Sequence, residues 1–338
     1  MPENVSVSLT TLDVPIATGR RLAPFLVVCA IVVGLVAAQL VVLPGQTRLW
    51  TEFKNAGHIP LYGVVSLAVL WLSTEFTGTS RDRYFHYVIA IAAVIIIGAG
   101  TELLQILLSR DADLVDFVRN VVGGVAFLAI FSTRDARLAR DWKRLGECAK
   151  RVTVGTAAIL LLAASAQVLD RSAAYVHRAY DLPLLLSFGS HWSRLFLEVK
   201  DATLEVTEAP SRWYPTASGK VGRLTLRKGA YPGLWVNEPY PDWSGRRFLR
   251  FGIYSETTEP VRLTLRIHDF LHSNEYRDRF NTSLRVLPGA NSFRIALDSI
   301  RTGPAQRELD IRNVAAIGLF AANPAHAYTV YINGFWLE

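Results

Sequence analysis

Hydrophobic residues occur in two different patterns, and the change between them divides the chain into two halves. In the first half they form continuous runs, each long enough to cross a hydrocarbon core of about 30 Å at about 1.5 Å per helical residue. The runs are residues 22–43, 59–76, 85–108, 114–131 and 152–169. They predict an α-helical membrane bundle of about five transmembrane helices, with residues 1–21 as a cytoplasmic tail and residues 22–170 as the membrane domain.

From about Ser193 to Glu338, short runs alternate apolar and polar residues, and Pro, Gly and Asn separate the runs. A period of two is typical of strands with one buried face, and roughly six to eight such strands predict an all-β antiparallel sandwich of jelly-roll type over residues 193–338. The layout resembles galactose-binding-like and carbohydrate-binding sandwich domains, which implies a glycan-binding domain. Residues 171–192, with Tyr175, Tyr180, Trp192 and the run LPLLLSF, are predicted to be an interfacial linker.

Charge adds an orientation to this layout. The chain has 36 Lys and Arg residues against 29 Asp and Glu residues, a formal net charge of +7. The basic residues concentrate on one side of the predicted spans, at Arg20, Arg21, Arg81, Arg83 and residues 134–151. Because cytoplasmic loops are enriched in Lys and Arg, this bias predicts a cytoplasmic N-terminus and an extracytoplasmic second half. It also explains the basic charge without nucleic acid, for which the sequence has no recognition motif.

Residues 98–124 form a predicted hairpin of two spans whose facing ends carry polar and ionisable side chains. Ionisable residues within a span are rare and are a functional-site hypothesis by default. Helical spacing places the polar residues on three stripes: Lys54, His58 and Tyr62; Glu102 and Gln105; Asp113, Asp116 and Asn120. The orientation puts all three near the outer surface, and Gly123 and Gly124 permit close packing one turn deeper. The alternatives are a structural interhelical network and side chains that lie in interfacial water.

This ordered set resembles the VanZ-like family of bacterial membrane proteins. The family has Lys, His and Tyr at helical spacing, then Glu and Gln three apart, Arg, and Asp and Asn four apart before Gly. The matching residues are Lys54, His58, Tyr62, Glu102, Gln105, Arg110, Asp116, Asn120 and Gly123. Lys54 departs from the pattern, because the family's gap between Lys and His is usually one residue shorter.

The resemblance covers about residues 22–132 and implies a bacterial envelope protein linked to resistance to the glycopeptide teicoplanin, but it implies no reaction. With the charge bias, it predicts a multi-pass protein of the bacterial cytoplasmic (inner) membrane with a periplasmic second half. The expected partners are the lipid bilayer and an envelope glycan or lipid-linked saccharide.

Three functions are compatible with the intramembrane residues. The first is an envelope enzyme in which Glu102 and Asp116 act as acid and base, or His58 acts as base, on a lipid-linked or cell-wall glycan. The residues expected to bind its substrate are Lys54, Tyr62, Gln105, Arg110 and Asn120. The second is a non-enzymatic, membrane-anchored carbohydrate-binding or scaffold protein for polysaccharide assembly. The third, a small transporter, has little support because inverted repeats are not visible.

The second half has its own candidate site in the segment 266–281, RIHDFLHSNEYRDRFN. Carboxylates, planar donors and an aromatic ring on a loop between strands suit the recognition of sugar hydroxyls. The candidate glycan-binding residues are Trp243 as a stacking face, His268, Asp269, His272, Tyr276, Asp278 and Arg279. The alternative is that Trp243 is a buried anchor beside a turn and that His268 and Asp269 are structural. Four metal ligands at convincing spacing are absent, so the sequence assigns no metal site. It does not identify a cofactor.

Overall fold

The structure, a computed structural model, describes residues 19–40, 47–78, 81–107, 113–213 and 219–338. A helical N-terminal region is followed by an antiparallel β-sandwich, as the two hydrophobic patterns predict. The described residues fall into two compact units. One extends to Gln167 without Thr47–Leu49, and the other consists of Thr47–Leu49 and Val168–Glu338.

In the described residues, seven α-helices precede the first strand. They are α1 Gly19–Leu40, α2 Arg48–Ala56, α3 His58–Thr77, α4 Arg83–Leu107, α5 Leu114–Ser132, α6 Ala139–Ala164 and α7 Ala166–Tyr180. Within the described ranges, three helical stretches have the length and apolar composition to cross a membrane: Arg48–Thr77, Arg83–Leu107 and Leu114–Ser132. A fourth results if residues Ala136–Ala164 and Ala166–Tyr180 are counted as one bent span.

The other two predicted spans differ from the observed helices. The first run lies in α1, whose described apolar part, Leu22–Ala37, is shorter than a full span. The sequence predicts residues 152–169 as one span, whereas the chain bends by 55° at the break between α6 and α7. Gly146 interrupts α6 as well, because its φ of 84° is a conformation that favours glycine. The count of five spans stays a prediction.

Glycines set the distances between α3, α4 and α5. A Cβ atom on Gly123 of α5 would lie 2.3 Å from the carbonyl oxygen of Ile59 on α3, so only a hydrogen fits there. A Cβ atom on Gly124 would lie 2.8 Å from the Val94 side chain on α4. Small residues at helix crossings allow such close backbone approach. The polar residues one turn away are therefore brought close together.

The second unit is a sandwich of two antiparallel sheets with twelve strands in the residues that the structure describes. The strands are β1 Leu184–Leu186, β2 Leu197–Lys200, β3 Ala202–Glu208, β4 Lys220–Leu226, β5 Gly233–Asn237, β6 Phe248–Ser255, β7 Val261–Asp269, β8 Phe280–Val286, β9 Gly289–Ala296, β10 Val314–Phe320, β11 Tyr328–Ile332 and β12 Phe335–Leu337. The seven-stranded sheet has the order β1-β12-β6-β11-β4-β3, with β9 also paired to β6. The five-stranded sheet has the order β2-β5-β10-β7-β8. Most of α7 and two short helices, α8 His191–Arg194 and α9 Leu297–Arg301, also belong to this unit.

Alternation along the strands buries one face of each sheet in a shared core. Leu249, Phe251 and Ile253 of β6 point into this core, as do Leu265 and Ile267 of β7, and all five are fully buried. Each such side chain contributes about 1.5–3 kcal/mol by leaving water. The intervening residues of each strand are consequently turned to the outer faces, where polar side chains are found.

Two features of the sandwich differ from the sequence-based assignment. Residues 184–186, predicted to lie in an interfacial linker, form β1 and pair with β12, and Phe188 is fully buried in the core. Runs predicted as single strands are also divided where φ is positive, at Asp201 between β2 and β3 and at Gly334 between β11 and β12. Gly334 is required there, since a Cβ atom would lie 2.3 Å from the carbonyl oxygen of Leu186.

Candidate functional site

His58 and Asn120, on two different helices, meet in the first unit. The His58 Nδ1 and Asn120 Oδ1 atoms are 2.9 Å apart, and both side chains are buried. Because the amide oxygen only accepts, the imidazole donates from Nδ1. The contact lies beside the Ile59–Gly123 crossing, which explains why residues 62 positions apart are within hydrogen-bond distance. His58 Nε2 is thereby the ring nitrogen that can accept a hydrogen bond.

Glu102 of α4 is also buried. Its Oε2 atom accepts a hydrogen bond of 3.1 Å from the backbone N–H of Asp113, the N-cap residue of α5. Asp113, Asp116 and His58 are close enough to interact electrostatically with the Glu102 carboxylate. The structure therefore brings together the residues that the sequence predicts as acid, base and orienting groups, and it leaves their roles as predictions.

Tyr62 and Thr101 connect the stripe on α3 with α4. The Tyr62 hydroxyl and Thr101 Oγ1 are 2.8 Å apart, and the Tyr62 ring is stacked on the His58 ring at a centroid distance of 6.4 Å. Lys54 and Gln105 are both half-buried, and both have interaction partners. Arg110, predicted to bind substrate, lies outside the described residues.

Arg119 is a member of this cluster that the sequence reasoning missed. It is 3% exposed, its Nη1 atom is 2.5 Å from Asp116 Oδ1, and its Nη2 atom is 2.5 Å from Gln167 Oε1 and 3.7 Å from Glu52 Oε2. Asp116 is thus half of a buried ion pair within one helix, which is a structural arrangement as well as a candidate for chemistry. An arginine inside an apolar run three residues after an aspartate was the signal that identifies it.

In the sandwich, Asp269 and Asp278 are held by one arginine. The Arg307 guanidinium donates to Asp269 Oδ2 at 2.5 Å and also to Asp278 Oδ1. Burial alone would raise the pKa of Asp269, but hydrogen bonds from Arg307 and from the Asp310 N–H outweigh it, so this pKa lies below its usual value. Hydrogen bonds from Arg307 likewise lower the pKa of Asp278. Both carboxylates are engaged in the protein's own network.

His268 and Arg266 alternate with the core residues of β7 and face outward from the five-stranded sheet. Burial, and then the charges of Arg266, His272 and Arg279, lower the pKa of His268 to about 3, so this imidazole is neutral near pH 7. His272 Nδ1 donates to the Asp278 carbonyl at 2.9 Å, which leaves Nε2 to accept from Arg266 Nη2 at 3.0 Å. Arg279 lies over the ring of Tyr276 at 5.4 Å.

Trp243 requires a correction. Its ring is fully buried in the sandwich core, and its Nε1 donates to the Tyr240 carbonyl at 2.8 Å. A side chain without exposed surface offers no stacking face to a sugar. The Asp-Trp pair lies at a turn, and the aromatic ring anchors that turn against the core, as the alternative interpretation of the sequence proposed.

A different tryptophan lies at the surface of the five-stranded sheet. Trp235 of β5 is half-buried, and its indole lies over Gly318 of β10, where a Cβ atom would be 2.7 Å from Trp235 Nε1. The ring is also stacked on Phe320 at 5.8 Å, and Tyr231 contacts Phe320 edge-on at 5.7 Å. Trp235 was missed because GLWVN is too short to show its alternation. Among the described residues, no group of three or more His, Cys, Asp or Glu side chains could hold a metal ion.

Comparisons with known proteins give no family for the chain. No protein-family model matches it, and no curated protein matches it. Similar solved structures include an exo-beta-agarase, at 18% identity over 46% of this chain and 24% of that chain with a TM-score of 0.37. A family 11 carbohydrate-binding module from Clostridium thermocellum, in complex with a beta-1,3-1,4-mixed-linked tetrasaccharide, is 17% identical over 42% of this chain and 88% of that chain, with a TM-score of 0.33.

A family 11 carbohydrate-binding module of a Clostridium thermocellum cellulosomal cellulase is 16% identical over 46% of this chain and 92% of that chain, with a TM-score of 0.34. The matched region spans only about a quarter of the agarase chain. At these identities and TM-scores the similarities carry no inference about function.

Proposed function

We propose that the protein is a membrane-anchored carbohydrate-binding protein of the bacterial cell envelope, and that the outer face of the five-stranded sheet binds the glycan. The supporting observation is a set of buried polar atoms that have no hydrogen-bond partner among the described residues. They are Arg266 Nε, His268 Nδ1, Arg279 Nε and Asn281 Oδ1. An unpaired buried polar atom costs about 1–3 kcal/mol, and a ligand with many hydroxyl groups would supply the missing partners.

Aromatic side chains border these polar atoms. Tyr231 is 57% exposed and Tyr276 is 69% exposed, and both interact electrostatically with Arg279. Trp235 adds a ring held flat against the central strand. Tyr and Trp side chains combine an apolar ring face with a polar O–H or N–H group. They suit sugars, whose C–H faces stack on aromatic rings while their hydroxyl groups need hydrogen bonds. The combination supports a glycan in preference to an apolar ligand.

The apolar helices of the first unit are the proposed anchor. The distribution of Lys and Arg supports a cytoplasmic N-terminus and a periplasmic sandwich, where an envelope glycan is available. In this proposal the protein is multi-pass in the cytoplasmic membrane, and its second half binds rather than cleaves.

The experiment measures saccharide binding by the full chain in phosphatidylcholine nanodiscs, using calorimetry with a panel of soluble envelope and plant oligosaccharides. Trp235→Ala and Tyr276→Ala should each weaken binding about tenfold, since a lost aromatic contact of about 1.4 kcal/mol corresponds to that factor. Tyr254→Ala, a half-buried aromatic on the outer face of the other sheet, is the control. Absence of binding to every saccharide, or equal losses in the control, would contradict the proposal.

The second candidate function is binding or acid–base chemistry at the polar cluster of α3, α4 and α5. It is favoured by Glu102 Oε1, Asn120 Nδ2 and Arg119 Nε, which are buried without a hydrogen-bond partner within the described residues. Unpaired groups at membrane depth are expensive, and the hydroxyls and phosphates of a lipid-linked saccharide would pair with them. In this proposal Glu102 and Asp116 act as acid and base, or His58 acts as base. The link to teicoplanin resistance rests on the resemblance to the VanZ-like family.

The test replaces Glu102 by Gln and Asp116 by Asn, and it compares teicoplanin susceptibility of host cells that contain equal membrane amounts of each variant. Cells with either variant should be as susceptible to teicoplanin as cells without the protein. Glu75→Gln, at an exposed position of α3, should behave as the unchanged protein. Full function in both variants would rule out the catalytic role, and a wild-type chain without any effect would rule out the link to resistance.

A further inference from the structure

The outer face of β7 and β8 carries an unusual excess of positive charge. Outward-facing residues pair across the two strands as Arg262 with Arg285, Thr264 with Ser283 and Arg266 with Asn281. His268 and Arg279 extend the same face at the next position, because Phe280 pairs with Ile267. These eight described positions hold four arginines and no carboxylate. A solvated protein surface normally mixes both signs of charge, so this face is suited to an anionic partner.

Arg266 and Arg279 lie at the end of this face nearest the loop between β7 and β8, and their positive charges repel each other. Burial, and then the charge of Arg279, lower the pKa of Arg266 to about 10. In the described part of the chain, neither arginine forms a salt bridge, and the Nε atom of each is buried without a partner. Two neighbouring carboxylates, Asp269 at the end of β7 and Asp278 in the loop, are both bound to Arg307. Arg266 Nη2 donates to His272, and the other N–H groups of the two guanidinium groups are the donors offered to a ligand.

We propose that this face, if it binds a glycan as argued above, selects an acidic polysaccharide, with Arg266 and Arg279 binding an oxyanion that a sugar ring carries. A guanidinium group presents paired N–H donors that match a carboxylate, sulfate or phosphate in bidentate geometry. The bound anion relieves the repulsion between the two arginines and supplies the acceptors that their Nε atoms lack. Arg262 and Arg285 extend the positive potential along the strands, so a repeating anion fits better than a single one.

The neighbouring groups favour a saccharide over an anionic lipid surface. Asn281 Oδ1 is an acceptor, which a phosphate or carboxylate cannot satisfy but a sugar hydroxyl can. His268 is neutral near pH 7, so it adds a hydrogen bond rather than another charge. Arg266 and Arg279 are half-buried, with Arg279 over the Tyr276 ring, and do not protrude as membrane-binding basic residues do. Acceptors and cations side by side suit a ligand that bears both hydroxyls and anions.

The experiment uses the full chain in phosphatidylcholine nanodiscs and two matched probes, trigalacturonate and its carboxyl-reduced neutral counterpart. We expect the acidic probe to bind at least tenfold more tightly, and we expect Arg266→Gln and Arg279→Gln to weaken binding of the acidic probe far more than binding of the neutral probe, so that the difference between the two probes is lost. Arg266→Lys should retain only part of the preference, because it keeps the charge without the fork. Arg223→Gln, on the outer face of the other sheet and half-buried in the same way, is the control.

Additional probes identify the anionic group, and they distinguish a failure of the acidic preference from a failure of glycan binding. A sulfated and a phosphorylated trisaccharide show which oxyanion is preferred, and a preference for either over the neutral probe supports the inference equally. Equal binding of acidic and neutral probes would overturn the acidic preference and leave glycan binding intact. Failure of every saccharide would overturn both. Arginine-dependent binding to phosphatidylglycerol vesicles without saccharide binding would replace the glycan by a lipid surface.

Discussion

Gly123 holds α5 against α3 because its hydrogen side chain takes up no space between the two backbones. The neighbouring Asn120 and His58 are hydrogen bonded for that reason, at a helix crossing where any Cβ atom would meet the Ile59 carbonyl oxygen at 2.3 Å. A residue without chemistry of its own therefore determines the geometry of the candidate intramembrane site.

Gly123→Ala is expected to destabilise the first unit, since overpacking a tight contact costs about 1–3 kcal/mol. The helices must separate, and the His58–Asn120 hydrogen bond should lengthen. Thermal unfolding of the purified protein in detergent measures the first effect, and the imidazole nitrogen chemical shifts measure the second. Gly100→Ala on α4 is the control, because a Cβ atom there has nothing within 4 Å, and it should unfold at the same or a higher temperature. Equal melting temperatures for the two variants would contradict this account.

Arg119 and Trp235 show why the roles of some residues cannot be predicted from the sequence alone. Arg119 stands in an apolar run, which identifies it as unusual, but its three partners lie on α5, on α2 and at Gln167, and no spacing in the sequence connects them. Trp243 follows Pro-Asp at a turn and Trp235 lies in the short apolar run GLWVN, yet the ring at the turn is fully buried and the ring in the strand is half-buried. Only the packing of the strands decides which ring faces outward.

At the scale of the element, β7 and β8 explain both a success and a failure of prediction. The alternation of Leu263, Leu265 and Ile267 with polar residues predicts a strand with one polar face, and the structure confirms it. The candidate glycan site places His268 and Asp269 around a loop between strands, and both residues lie at the end of β7 itself. They consequently point in opposite directions: His268 outward, and Asp269 inward to Arg307, where it is fully buried. Adjacent residues on a strand cannot share a face.

The helices behave differently from the strands, because their apolar runs are long and self-contained. The runs that became α3, α4 and α5 agree with the prediction to within a few residues. The bend between α6 and α7 was not predictable in the same way, since the apolar run continues through it without a proline. Backbone hydrogen bonds within a helix follow from local sequence, whereas a change of direction depends on what the helix packs against.

For the whole molecule, the distribution of Lys and Arg predicts that the sandwich is periplasmic. Alkaline phosphatase fused after Glu338 should be active in a bacterial host, and a green fluorescent protein fused at the same place should be dark. Fusions after Lys150, in the basic segment that is predicted to be cytoplasmic, should give the opposite pair of results. A fluorescent fusion after Glu338 would reverse the orientation, and the proposed glycan would then have to be cytoplasmic.

The sequence by itself determined the division of the chain, the class of each half and the positions of the most polar helix faces. These properties follow from local periodicity, which depends only on whether neighbouring residues are apolar. Only the tertiary structure decided that Trp243 is a core residue, that Arg307 engages Asp269 and Asp278, and that the outward positions of β7 and β8 around Arg266 and Arg279 hold no carboxylate. Those facts depend on which strands pair and on which side chains find a partner in the folded chain. Such long-range contacts produce no periodic pattern in the sequence.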